Sequence, residues 1–90
     1  MEETDRRQRA RRLSPRERDV LQLLAEGLDA TEIAGVLGVS HATVRTHLRG
    51  ARARLEARSR THAVALALVS GEIGPVRPDF VPHQTAASQR

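Results

Sequence analysis

SHATVRTHLRGARARL, residues 40–55, decides how the chain is read. Ser40 offers a side-chain oxygen to the unsatisfied N–H groups of a helix that begins at His41. With Val44 set at zero and about 100° per residue, Leu48, Ala51 and Leu55 fall within about 40° of it. Ala42, Thr46, Arg49 and Ala53 lie near the opposite side, and Arg45 about 100° round. One edge is thus apolar and narrow, while Arg45, Arg49 and Arg52 stand away from it. The small Ala42 and Ala53 let the outer face approach a groove closely. A helix that buries one edge and offers arginines on another suits the major groove of DNA.

Two capped helices precede it. Ser14-Pro15-Arg16-Glu17 combines a Ser N-cap, Pro at the first helical position and Glu three residues after the cap. Val20, Leu21 and Leu24 then recur at helical spacing. Leu13 is placed to staple against the first turn, and Gly27 supplies the left-handed position of a C-cap. Asp29 and Glu32 form a second capping box. It opens a short helix with Ile33, Ala34 and Leu37 inward, closed by Gly38, and Val39 packs across the turn. From Asp29 to Leu55 the order is helix, tight glycine-containing turn, helix: a helix-turn-helix.

A fourth helix is predicted from about Arg60 to Ser70, capped by Ser59 and ended by Gly71. Its sequence THAVALALVS, residues 61–70, is apolar nearly all round. A domain this small cannot bury every side of such a helix. The surplus implies a partner, most simply a second copy of the chain. The plainer alternative is core packing that leaves some Ala and Val exposed. The expected fold is therefore all-α, with four helices in a domain over residues 13–73. Residues 1–12 read as a basic mobile arm and residues 74–90 as a disordered tail. The arm's five arginines are able to touch phosphate, and Phe80-Val81 to dock loosely, but neither is required.

Charge is distributed unevenly. The net charge is +4, and all fifteen basic residues are Arg. Residues 13–40 carry a net −3, residues 41–60 a net +5, and residues 61–90 balance. The positive field sits on one element, as a nucleic-acid footprint does. The guanidinium fork matches phosphate and guanine, although a GC-rich genome also favours Arg codons. There is no Cys, hence no disulfide or thiolate metal site. No apolar run reaches membrane-spanning length, and the N-terminus lacks the apolar core of a secretory signal. A cytoplasmic protein is the default expectation. Phe80 is the sole aromatic, which argues against recognition of single strands by stacking.

Three stretches, LSPRERDVLQLLAEGL (13–28), TEIAGVLGVSHATVRTHL (31–48) and RSRTHAVALAL (58–68), resemble in order the LuxR/FixJ-type, or GerE-like, helix-turn-helix domain. They align without a gap and cover about two thirds of the chain. The resemblance implies four helices, the third being the recognition helix, and DNA binding as a dimer that often pairs through the fourth. The family's base-reading positions, in its TVK-x-H-x-K stretch, fall on Arg45, Thr46 and Arg49. Its phosphate contacts fall on Thr31, Ser40 and Thr43, with Arg54 and Arg60. His47 matches a characteristic His and is expected to be partly buried and structural. Pairing is expected at Val64, Leu66, Ala67 and Leu68.

Three positions depart from the pattern. Ala51 stands where a large aliphatic is usual, Glu56 where Gly is usual, and Ala57 where Val or Leu is usual. The third helix can therefore end at Leu55 or run on to about Ala57. Family members usually carry a receiver or ligand-binding domain ahead of this module. None lies in these residues, so constitutive action, control by level, or input through a partner is expected.

The physical roles follow from geometry. Arg45 and Arg49 lie one turn apart, and each can make a two-pronged contact with guanine O6 and N7. Thr46 can offer its methyl to thymine or its hydroxyl to a base edge. Arg52 and Arg54 suit phosphate, which adds affinity without sequence information. The helix starts at Asp29 and Ser40 point N–H groups outward, though the Asp29 carboxylate competes with phosphate at its own helix. Double-stranded DNA and a second copy are the expected partners, with a contact to RNA polymerase conceivable. No cofactor, metal or small-molecule ligand is indicated.

Catalysis is not expected. His41, His47, His62 and His83 lack metal-ligand spacing, and there is no phosphate loop or nucleophile motif. The spacing of Asp29 and Glu32 is explained by capping. Two alternatives to a dimeric regulator stay open. One is a promoter-binding module like region 4 of a sigma factor, which ATVRTHLRGARARLEA (42–57) resembles. Against it stand the spacing upstream, the RSRTHAVALAL helix and the lack of room for a second domain. The other is a protein-interaction module that sequesters a larger homologue through the fourth helix.

Overall fold

The computed structural model describes residues 12–75. The arm at 1–11 and the tail from 76 onward, including Phe80 and Val81, lie outside the described residues. Four helices are present: α1 (Pro15–Ala25), α2 (Ala30–Leu37), α3 (His41–Leu55) and α4 (Arg60–Ser70). No strand occurs among the described residues. The expected all-α helix-turn-helix is the fold.

Local chemistry explains each boundary. Ser14 Oγ accepts the Glu17 N–H at 3.1 Å while the Ser14 N–H donates to Glu17 Oε1 at 2.9 Å, a complete capping box. Asp29 and Glu32 repeat the arrangement with both distances at 2.8 Å. This accounts for the spacing of that acid pair. Gly27, with φ of +102°, turns the chain out of α1, and Leu28 returns its N–H to the Leu23 carbonyl. Leu28 is thereby delivered to the core.

The end of α3 is the informative case. It stops at Leu55, and the next residue, Glu56, takes the left-handed conformation with φ of +55°. The helix does not run on to Ala57. The Ala57 N–H instead closes back on the Arg52 carbonyl at 2.8 Å. The position where glycine is usual is thus a C-cap that needs positive φ, and here Glu56 occupies it without that freedom.

The core gathers Val20 and Leu21 of α1, Ile33 and Ala34 of α2, Val44, Leu48, Ala51 and Leu55 of α3, and Ala63 and Ala67 of α4. Ala51 is completely buried, so the small residue is packed over rather than left facing solvent. The helix α3 packs against all three others and is the spine of the domain. The start and end of the domain are tied together as well. Glu72, just past α4, accepts from the Leu13 N–H at 3.4 Å and lies 3.8 Å from the Arg18 guanidinium. The Gly74 N–H donates to the Gln22 side chain of α1 at 2.8 Å, and Ile73 beside it is buried. Among the described residues no helix is long and apolar enough to cross a membrane.

Candidate nucleic-acid interface

The inward edge of α3 consists of Val44, Leu48, Ala51 and Leu55, all buried. These are the four residues that the helical wheel places together. Rotating α3 about its axis would expose them, so the opposite side has a fixed aim. On that side Ala42, Arg45, Thr46, Arg49, Arg52 and Ala53 are exposed. His47 is half-buried.

Thr46 carries a detail that spacing does not reveal. Its hydroxyl donates to the Ala42 carbonyl one turn back, at 3.1 Å. With that proton engaged, Thr46 has an acceptor lone pair and a methyl left for a ligand. It can take a hydrogen bond from a base amino group or touch a thymine methyl, but it has no proton to give.

The two helix starts differ electrostatically. At α3 the Ser40 Oγ accepts the Thr43 N–H at 3.0 Å and donates to Thr43 Oγ1 at 2.9 Å. No acid lies in that first turn. At α2 the carboxylates of Asp29 and Glu32 already occupy the positive end. An incoming phosphate meets repulsion beside Thr31, which is exposed there, and none beside Ser40 and Thr43.

Three further arginines have distinct settings. Arg54 Nε donates to Glu17 Oε1 at 2.9 Å, with the Glu17 side chain only 10% exposed. Arg54 is thus the counter-charge of a nearly buried carboxylate, while its own side chain stays 47% exposed. Arg52 is exposed and gives one Nη2 bond to the Arg58 carbonyl at 3.1 Å. Arg60, at the first position of α4, is exposed.

What holds the turn between α3 and α4 is not legible from residue spacing alone. The Arg58 N–H donates to His62 Nδ1 at 3.0 Å, while Ser59 Oγ accepts the His62 N–H at 3.1 Å. His62 thus stands where a capping box normally has Glu or Gln, three residues after the cap. That position was the available signal. The role of Glu17 beyond its cap had no such signal, because Arg54 is far from it in sequence.

The expected pairing surface on α4 needs one correction. Ala67 is 0% exposed, packed into the domain's own core, and cannot meet a partner. Val64 and Leu66 are half-buried against that core. The large apolar residues facing outward on α4 are Leu68, 38% exposed, and Val69, 88% exposed and outside the expected pairing positions. The reason is periodicity: Ala63 and Ala67 lie one turn apart and share the inward edge.

Comparison with known proteins agrees with this geometry. The profile of the bacterial regulatory proteins, luxR family, matches residues 11–67. The transcriptional activator protein BjaR1 of Bradyrhizobium diazoefficiens is 44% identical over 64 residues, covering 71% of this chain and 26% of its own. The quorum sensing-dependent transcriptional regulator RpaR of Rhodopseudomonas palustris is 46% identical over 65 residues, covering 72% and 27%. The nitrate/nitrite response regulator protein NarP of Escherichia coli is 46% identical over 56 residues, covering 62% and 26%. The chain thus spans about a quarter of the length of these relatives. The capped helix-turn-helix, the arginine flank of α3 and these matches lead to one assignment: the chain belongs to the luxR family of bacterial regulatory proteins, a family of transcription regulators and not of enzymes.

Proposed function

We propose that this domain, over residues 13–73, is a sequence-specific regulator that binds duplex DNA with α3 in the major groove. The observation that carries the reading is the fixed aim of α3, whose buried edge directs an exposed arginine-bearing side outward. The names of the relatives, an activator and two regulators, point the same way.

In this reading Arg45, Thr46 and Arg49 meet base edges. Each arginine that grips a guanine contributes about 1–3 kcal/mol of discrimination. Ser40, Thr43, Arg52 and Arg60 take strand phosphates, with Thr31 a weaker position beside its two acids. Arg54 holds Glu17 through Nε, and its half-exposed side chain is a further phosphate position. Two copies pair through the outer face of α4, where Leu68 and Val69 are exposed and Val64 and Leu66 border them. Half-sites then lie about one helical turn apart, roughly 10 base pairs. Such a regulator works in the cytoplasm, within reach of RNA polymerase at a promoter.

The test is selection of bound sites from a pool of random duplexes, using the 90-residue chain. The expected result is an enriched, two-fold-related motif whose binding weakens steeply with salt. An absence of enrichment, with no gel shift even at low salt, would overturn the reading in favour of a protein-interaction module.

A further inference from the structure

Arg45, Arg49, Arg52 and Arg60 line, together with Leu48, a single hollow of about 170 Å³. The first four contributors along α3 follow from its period. Residues 45, 48, 49 and 52 fall along one flank, between about 40° and 140° from Val44. That flank faces the start of α4, which brings in Arg60. Among the described residues no carboxylate lines the hollow.

Three other arginines of the domain are paired with carboxylates, whereas Arg58, like those of the hollow, is in no ion pair among the described residues. Arg16 pairs with Asp19, Arg18 with Glu72 and Arg54 with Glu17. Among the described residues none of the four arginines of the hollow is paired with a carboxylate. Four guanidinium groups sharing one concavity repel each other unless an anion comes between them. The wall is also set in advance. Arg52 is tethered to the Arg58 carbonyl, and the Arg58 N–H is held by His62, so the turn from Arg52 to Arg60 is fixed at both faces of one peptide residue. Preorganisation of this kind lowers the cost of binding. The space far exceeds the roughly 10–15 Å³ that one water needs. Guanidinium forks match the spacing of oxygens on a tetrahedral oxyanion.

We infer that this hollow is a seat for a small free polyphosphate, which competes there with the strand phosphate of the proposed function. The inference rests in part on the proposed function, since Arg45 and Arg49 are also the proposed base readers. With α3 in the groove, Arg52 and Arg60 hold a strand phosphate while Arg45 and Arg49 turn to bases. With a free polyanion in the hollow, all four arginines face it and the base readers are withdrawn. The same site then responds to polyphosphate level.

Calorimetric titration of the full chain with sodium tripolyphosphate, at ionic strength held constant with sodium chloride, is the test. The expected result is saturable one-to-one binding, weakened about tenfold or more by Arg60→Gln and by Arg52→Gln. Arg16→Gln, outside the hollow, should leave it unchanged. Circular dichroism checks that each variant keeps its helices. A selected duplex then tests the competition by fluorescence anisotropy. Displacement of duplex by tripolyphosphate supports competition at one seat. Saturable tripolyphosphate binding by a chain that binds no duplex supports the seat with a free anion and removes the proposed function. Duplex binding that loses affinity in both variants, without tripolyphosphate binding, overturns the inference and leaves the two arginines as strand contacts only. Duplex binding and salt dependence unchanged in both variants, with no saturable anion binding, overturns the inference and also removes Arg52 and Arg60 from the proposed phosphate contacts.

Discussion

Arg54 Nε meets Glu17 Oε1 at 2.9 Å, joining the last turn of α3 to the first turn of α1. The same carboxylate accepts the Ser14 N–H and lies over Gly50, where a Cβ would come within 2.5 Å of Glu17 Oε2. One side chain therefore caps α1, neutralises Arg54 and covers the glycine of α3. The aim of α3 depends on this contact as well as on its apolar edge.

Removing parts of Glu17 should separate these roles. Glu17→Gln keeps a capping side chain and loses the ion pair, which should cost about 1 kcal/mol given that Arg54 is half exposed. Glu17→Ala loses the cap as well and should cost about 2 kcal/mol. Urea unfolding followed by circular dichroism gives both values. Equal losses would show that the ion pair carries the whole effect.

Gly50 tests the same contact from the other side. In a free helix Gly→Ala should stabilise by about 1 kcal/mol. Here the added methyl pushes Glu17 off its partners, so Gly50→Ala should destabilise the wild-type chain. In a Glu17→Ala background the same change should stabilise. The sign reversal in a double-mutant cycle is the readout.

At Glu56 the backbone is the issue. With φ of +55°, a residue bearing a Cβ is strained there by about 1–2 kcal/mol. Glu56→Gly should therefore exceed Glu56→Ala in stability by about 1 kcal/mol. Comparing with Ala removes the contribution of the Glu56 side chain from the difference. A higher melting temperature for the alanine variant would argue against a left-handed cap.

Reading and positioning should separate by mutation. Arg49→Ala should lower affinity by about 1–3 kcal/mol and relax preference at particular base pairs. Arg52→Ala should weaken all sites alike and reduce the slope of log affinity against log salt by about 1. Anisotropy titrations on selected and scrambled duplexes at several salt concentrations measure both. Uniform losses from both variants would remove the distinction.

On α4, two neighbours should behave oppositely. Leu68→Glu touches an exposed position and should lower self-association while the chain stays folded. Ala67→Glu puts a charge at a completely buried one and should unfold the domain. Sedimentation velocity together with circular dichroism distinguishes the outcomes. Unchanged self-association in Leu68→Glu would move any pairing surface off α4.

Much of this protein is written locally. Helix starts at Ser14, Asp29, Ser40 and Ser59, and the four buried residues of α3, were legible because capping and helical period act over a few neighbouring residues. What tertiary structure decided concerns groups distant along the chain. It paired Arg54 with Glu17, and it buried Ala67 in the domain's own core. It also ended α3 at a left-handed Glu56 and gathered Arg60 with three arginines of α3 around one hollow. Short-range patterns fix which face of a helix is apolar. Only packing fixes which neighbour covers that face, because burial and charge pairing depend on distances that folding sets.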